Sequence, residues 1–146
     1  MAHHLGKHVL AEFYDCDRTK LDDEAFLRRQ AVAAARAMGA TIVGVHSHRY
    51  QPQGVSVVII LAESHLSLHT WPEFDLASID IFVCNPDTDP QLAKAHLTEV
   101  LEAGRIAELE VERGQLDRVA ERHVRLPVDP DAGAATSVDT GAAVGR

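Results

Sequence analysis

The chain has 146 residues, of which 46% are hydrophobic and 25% charged, as expected for one soluble domain with a single modest core. Acidic residues outnumber basic ones by 22 to 14 and the basic residues are scattered, which argues against nucleic acid or anionic membranes as partners. Two cysteines cannot form a disulfide framework, the N-terminus lacks a signal peptide's apolar region, and no apolar run approaches the roughly 20 residues of a membrane helix, so we expect a cytoplasmic protein.

The first third of the chain predicts two strands separated by a helix. Residues 8–13 mix apolar and polar side chains at period two, which is typical of a half-buried strand. Asp22 is the expected N-cap of a helix whose apolar stripe ends at Met38, and Gly39 is its stop signal. Residues 41–45 are largely β-branched and indicate a second strand.

The middle of the chain predicts two more strands. After a turn at residues 51–54, residues 55–61 are dense in Val and Ile, which predicts a central strand covered on both faces. Residues 78–83 predict another strand, which Asn85 and the proline after it end.

The last third predicts a helix, a strand and a tail. Asp89 followed by proline is a helix-start signal, and that helix should run to about Ala103. Residues 106–112 predict a last strand with apolar Ile106, Leu109 and Val111 opposed to Glu108, Glu110 and Glu112. Residues 115–126 could form a short helix, and residues 127–146 have the composition of a disordered tail.

This order of elements predicts an α+β fold. We expect a two-layer sandwich in which the two main helices pack on one face of a mainly antiparallel sheet, within a single domain of residues 1–126. The other face of the sheet then needs a cover, and a second subunit could provide it.

The polar segment 62–73 directly follows the most apolar predicted strand, which is a common position for a functional site. One interpretation is an ordinary edge strand with Leu66 and Leu68 facing inward. A second is a metal site formed by His65 and His69, but this spacing places both rings on one face only in a helix, and Pro72 argues against a helix.

A third interpretation of the same segment is nucleophilic chemistry. Ser64 or Ser67 could be activated by a neighbouring histidine, either His65 or His69. The glycine-flanked serine of a hydrolase nucleophile elbow is absent.

The segment ESHLSLHTWPE, with LGKHVLAEFYDCD before it and SIDIFVC after it, resembles the proenzymes of bacterial S-adenosylmethionine decarboxylases over about residues 5 to 113. The resemblance implies self-cleavage between Glu63 and Ser64. The Ser64 hydroxyl attacks the Glu63 carbonyl to give an ester, and β-elimination and hydrolysis leave a pyruvoyl group at the start of residues 64–146. Residues 1–63 form the second chain.

The resemblance also implies roles for other residues. The pyruvoyl group forms a Schiff base with the substrate amine and withdraws electrons, in place of pyridoxal phosphate. His69 and Ser56 would assist processing, Cys84 would return a proton to the product, Glu73 would hold the ribose and Tyr50 would stack on adenine. The expected product is decarboxylated S-adenosylmethionine for spermidine synthesis, made by a homodimer of processed chain pairs. Without the resemblance, Cys84 and Ser56 are ordinary strand residues.

Two departures from the family pattern leave alternatives open. Residues 74–76 read Phe-Asp-Leu where the family has YGYAA-like sequence, and Asn85 replaces a glycine. The carboxylate of Asp75 could bind a cationic amino acid, so a pyruvoyl-dependent decarboxylase of arginine or ornithine is one alternative. The other is an uncut, non-enzymatic regulatory paralogue, against which the intact Glu63-Ser64, His69 and Cys84 argue.

Overall fold

The computed structural model describes residues 4–116. Its strands are β1 (His4–Tyr14), β2 (Ile42–Arg49), β3 (Val55–Leu61), β4 (Ser64–Trp71), β5 (Leu76–Val83) and β6 (Arg105–Gln115). Its helices are α1 (Arg18–Leu21), α2 (Glu24–Ala37) and α3 (Pro90–Val100), and a short 3₁₀ helix (Pro72–Phe74) joins β4 to β5. The predicted helix at 115–126 and the tail at 127–146 lie almost entirely outside the described residues, although Gln115 itself belongs to β6.

The six strands form one antiparallel sheet in the order β2-β3-β4-β5-β1-β6. The core lies between one face of this sheet and helices α2 and α3, and it includes alternate residues such as Val57, Leu66, Leu68 and Ile79. The predicted α+β sandwich with two main helices on one face is therefore confirmed. Within residues 4–116, no helix is both long enough and apolar enough to cross a membrane.

The opposite side of the sheet, here called the open face, has no helix over it among the described residues. Three rows of side chains cross it in register: Ile60, His65, Phe82, His8 and Val111; then Val58, Ser67, Asp80, Leu10 and Leu109; then Ser56, His69, Ser78, Glu12 and Ala107. The apolar members are poorly covered, since Ile60 is 45% and Leu109 60% exposed.

The start of α2 differs from the prediction. Asp23 caps α2, whereas Asp22 ends the short helix α1, which the sequence analysis missed. The carboxylate of Asp22 is used instead by the backbone N–H of Gly54 and the guanidinium of Arg49, both of which donate to it. These tertiary partners lower the pKa of Asp22, with the Gly54 hydrogen bond the largest cause.

Two predictions about strand faces were wrong. The strand at 55–61 is covered on one face only, because both large helices lie on the same side of the sheet. Ile106 does not share a face with Leu109 and Val111, because it opposes the buried Phe13 on the helix side. The alternation along β6 therefore places Ile106 with the glutamates.

Other boundaries shift without changing the architecture. Strand β1 begins at His4 and β2 extends to Arg49, because both pair with neighbours beyond their apolar stretches. The cap of α3 at Asp89 is confirmed, but the helix ends at Val100 rather than near Ala103. Glu102, with a φ of 55°, makes the left-handed turn after the helix, a position that glycine usually occupies.

Candidate active site

The Glu63-Ser64 peptide bond lies at the tip of the hairpin between β3 and β4. Leu61 pairs with Ser64, so only Ala62 and Glu63 form the connection. Two-residue hairpins normally place glycine or asparagine where φ is positive. No such residue is present, and the positive φ of 144° falls on Ser64. A non-glycine residue in such a conformation costs about 1–3 kcal/mol, so the surrounding structure must hold this bond in a strained state.

The carbonyl oxygen of Glu63 accepts two hydrogen bonds from one residue. The backbone N–H of Cys84 donates to it at 3.0 Å and the Cys84 thiol donates to it at 2.9 Å. Cys84 reaches this position because Val83, at the end of β5, pairs with Ser64. Two donors directed at one carbonyl oxygen are the arrangement that stabilises negative charge when a nucleophile adds to that carbonyl carbon.

The side chain of Glu63 fixes the hairpin to the neighbouring loop. It is buried, and its carboxylate accepts a hydrogen bond from the backbone N–H of Thr41 at 2.9 Å. This bond is the largest reason why the pKa of Glu63 is lowered below its usual range. The Glu63-Ser64 peptide is therefore held at two points: the charged Glu63 side chain binds Thr41, and the Glu63 carbonyl binds Cys84.

The hydroxyl of Ser64 has an imidazole partner. Its Oγ lies 3.1 Å from Nδ1 of His65, the next residue on β4. Ser67, the other serine considered from the sequence, instead donates to the Asp80 carboxylate at 3.4 Å. Of the two serines, Ser64 is therefore the one whose hydroxyl contacts an imidazole nitrogen.

A second group of predicted residues gathers at the other end of the sheet. Ser56 and His69 pair across β3 and β4, with Ser56 Oγ 2.7 Å from His69 Nδ1 and 3.2 Å from the Tyr50 hydroxyl. These residues, together with Glu73 and Trp71, line a cavity of about 390 Å³, here called the Glu73 cavity. Its volume is within the usual range for small-ligand sites.

The two groups are far apart in one chain. Ser64 and His69 are five residues apart on the extended strand β4, which corresponds to roughly 16 Å at about 3.3 Å per residue. The same geometry contradicts a metal site formed by His65 and His69, since about 13 Å separates their backbones. Within residues 4–116, no cluster of three potential metal ligands occurs.

A larger cavity of about 710 Å³, here called the Cys84 cavity, is lined in part by the residue that contacts the Glu63 carbonyl. Cys84, Asn85 and Lys7 are among the residues that line it. Asn85, one of the two departures from the family pattern, shapes its rim, because its side-chain oxygen accepts the backbone N–H of Asp87.

Asp75 lines neither cavity. Its carboxylate accepts two hydrogen bonds from the guanidinium of Arg18, at 2.9 and 3.3 Å, and it sits in a left-handed turn after the 3₁₀ helix. This exposed pair argues against Asp75 as a free carboxylate for a cationic substrate, and its role in substrate binding stays a prediction. The sequence could not reveal this pair, because 57 positions separate its members.

Comparison with known proteins identifies the relatives of this chain. A family model described as S-adenosylmethionine decarboxylase matches residues 7–114. The S-adenosylmethionine decarboxylase proenzyme of Thermotoga maritima is 47% identical over 115 residues, which cover 79% of this chain and 88% of that protein. The proenzyme of the same name from Synechococcus sp. WH7803 is 50% identical over 99 residues, covering 68% and 77%.

A solved structure shows the same fold. The crystal structure of the adenosylmethionine decarboxylase from Aquifex aeolicus superimposes with a TM-score of 0.72 at 35% identity. The match covers 77% of this chain and 93% of that one.

Proposed function

The chain belongs to the S-adenosylmethionine decarboxylase family, whose members are pyruvoyl-dependent lyases, and we propose that it is a cytoplasmic proenzyme that cuts itself at Glu63-Ser64 and then decarboxylates S-adenosylmethionine. The observation that carries the proposal is the environment of one peptide bond. Ser64 has a strained backbone conformation, and its hydroxyl contacts the imidazole of His65. The Glu63 carbonyl before it already accepts two hydrogen bonds from Cys84.

The residues at this bond fit the formation of a pyruvoyl group. Ser64 Oγ adds to the Glu63 carbonyl carbon, and the developing oxyanion keeps both Cys84 donors. The C–N bond then breaks, which leaves an ester and a free Ser64 amine. Loss of the Ser64 Cα proton expels the Glu63 carboxylate, and addition of water with release of ammonia gives the pyruvoyl group.

Cys84 has a second task after cleavage. The pyruvoyl group binds the substrate amine and accepts the electrons released when CO₂ leaves. Cys84 contacts the Glu63 carbonyl and lines the adjoining cavity, which supports a role for its thiol in returning a proton to the α-carbon of the product.

The Glu73 cavity supplies the groups that a nucleoside needs. The exposed carboxylate of Glu73 can accept hydrogen bonds from the two ribose hydroxyls. Tyr50, 49% exposed at the mouth of the cavity, offers an aromatic face for adenine. Ser56 holds His69 by a short hydrogen bond, which orients that imidazole for proton transfer during processing.

A homodimer would bring the two ends together. In this dimer a second copy packs on the open face, and a two-fold axis runs between the two sheets and across the strands. Because this axis reverses the strand direction, the His65 row of each chain opposes the His69 row of the other. Such packing also covers exposed apolar side chains, including Ile60, Leu10 and Leu109. We therefore propose that each active site combines Ser64 and Cys84 of one protomer with His69 and Glu73 of the other.

Self-cleavage is tested on the purified protein by denaturing electrophoresis and mass spectrometry. The wild type should give fragments of 63 and 83 residues, the larger carrying an N-terminal carbonyl that reacts with phenylhydrazine, and Ser64→Ala should stay intact. The wild type should then release CO₂ from S-adenosylmethionine but not from arginine, ornithine or lysine. An uncut wild type supports the regulatory paralogue, and activity on an amino acid instead supports the alternative substrate.

The shared site is tested by mixed dimers. Co-expressed Ser64→Ala and His69→Ala chains form hybrids in which one site retains both Ser64 and His69, so the His69→Ala chain should be cut although neither variant processes normally alone. If each site were built within one chain, the mixture would stay as unprocessed as its parents.

A further inference from the structure

The contact between Ser64 and His65 is unusual for neighbours on a strand. Consecutive side chains of a strand point to opposite faces and do not normally hydrogen-bond to each other. Ser64 departs from extended geometry, with a φ of 144°, and its Oγ lies 3.1 Å from Nδ1 of His65. The unusual backbone conformation at Ser64 therefore coincides with a hydrogen-bond contact between its hydroxyl and His65 Nδ1, in which the hydroxyl donates when that nitrogen is unprotonated.

The ring of His65 is held by its neighbours across the sheet. It pairs with Phe82 on β5 and meets that ring nearly edge-on, with 6.0 Å between the centroids. The ring of His8 on β1 lies at 6.1 Å, also edge-on, and Ile60 pairs with His65 on the β3 side. These contacts orient Nδ1 toward Ser64 before any reaction begins, which is the positioning that proton transfer requires.

The burial of His65 and the charges around it together favour its neutral form. Burial is the largest cause of a lowered pKa of His65, and a positive charge on His8 lowers it further. Arg113 on β6, whose guanidinium lies 3.2 Å from His8 Nδ1, acts in the same direction, whereas Asp80 on β5 opposes them. Asp80 is 3.4 Å from His8 Nε2, but the two are too poorly aligned to form a hydrogen bond.

We propose that His65 Nδ1 accepts the proton of Ser64 Oγ as that oxygen attacks the Glu63 carbonyl carbon. This inference rests on the self-cleavage proposed above and assigns its first step. The O–C bond forms as the O–H bond breaks, and the proton held on His65 is then available to the Ser64 nitrogen as the C–N bond breaks. His69 of the same chain is roughly 16 Å away along β4, so the His69 that reaches this bond belongs to the second protomer of the proposed dimer, and we assign it the later loss of the Cα proton.

The test follows newly made chains in a cell-free translation system, in which uncut proenzyme can be sampled over time. Positioned general bases typically contribute about 10²–10⁴-fold, so His65→Ala should slow cleavage by about 100-fold or more. His65→Asn keeps an acceptor atom near the Nδ1 position without a comparable base, and it should be slow as well. His96→Ala is the matched control, because His96 lies on α3, on the helix side of the sheet and outside the proposed machinery, and it should be cut at the wild-type rate.

Hydroxylamine separates the step assigned to His65 from the later one. It cleaves an accumulated ester at Glu63, so His69→Ala chains should be split by hydroxylamine, whereas His65→Ala chains, blocked before the ester, should not. In wild type, the cleavage rate should rise with pH through a pKa below 6.5, and His65→Asn should lose this dependence. Thermal unfolding of both His65 variants verifies that they fold, and if the alanine variant does not, the asparagine variant carries the test.

Three results would overturn the assignment: cleavage of His65→Ala within about threefold of wild type, recovery of the wild-type rate in His65→Asn, or a hydroxylamine-sensitive ester in His65→Ala. Each leaves the proposed function intact as long as the wild type cuts and Ser64→Ala does not. An uncut wild type would instead remove both proposals.

Discussion

Replacing Cys84 by alanine tests the two-donor arrangement at the Glu63 carbonyl. The substitution removes the thiol donor at 2.9 Å and leaves the backbone N–H donor at 3.0 Å. Loss of one oxyanion donor typically slows a reaction about 10²–10³-fold, but a thiol is a weak donor. We therefore expect Cys84→Ala to slow self-cleavage by about 10–100-fold, which corresponds to roughly 1.4–2.7 kcal/mol of transition-state stabilisation.

The matched variant is Cys84→Ser, whose hydroxyl is a better donor of similar size. It should cut within about tenfold of the wild-type rate, since the oxyanion keeps two donors. CO₂ release by the processed serine variant should nevertheless stay low, because a hydroxyl gives up a proton far less readily than a thiol. The assay is the same translation time course, followed by CO₂ release from processed protein. The reasoning is refuted if the alanine variant cuts at the wild-type rate, or if serine is as slow as alanine.

Three further predictions concern the frame around the site. Leu68→Ala should lower the free energy of unfolding by about 2–5 kcal/mol in urea denaturation, because Leu68 is fully buried under the helices. In an uncut Ser64→Ala background, the free energy of unfolding should fall as pH drops through the lowered pKa of Glu63, below its usual 4.5. Glu63→Gln should remove this acid-dependent loss. Urea titrations in which the two proteins show the same dependence of unfolding free energy on pH would contradict this prediction. Asp75→Asn breaks an exposed ion pair with Arg18, so the thermal midpoint of the variant and its KM for S-adenosylmethionine should both stay near the wild-type values. A raised KM would indicate that Asp75 contributes to substrate binding.

The sequence predicted the elements better than their arrangement. Local sequence patterns located five of the six strands, two of them by period-two alternation, and the Asp89-Pro90 signal located the start of α3, because these features depend on local chemistry. Strand order is not local: β1 lies between β5 and β6, and no short-range signal records that. The same reason explains Asp22, whose carboxylate looked like a cap and is used by Gly54 instead.

The site shows the same division. The motif around Ser64 predicted which bond is cleaved, and sequence adjacency made His65 one of two candidate bases, but only the structure shows the contact between Ser64 and His65. The hydrogen bonds from Cys84 to the Glu63 carbonyl join residues that are 21 positions apart in the sequence, and they depend on the pairing of β4 with β5. Neither pattern nor composition contains that information.

The register of the β3–β4 hairpin explains why the two halves of the site are separate. Ser64 must begin β4 for the scissile bond to lie at the hairpin tip, and the pairing of Ser56 with His69 then fixes His69 five residues further along. A slip by one residue would turn His69 toward the core and Leu68 toward the open face, so the buried side of β4 prevents any adjustment. A single chain can therefore hold the proposed cleavage bond at one end and the Glu73 cavity, proposed to bind the nucleoside, at the other, but it cannot bring them together. The exposed apolar side chains between them are where a second copy can do so.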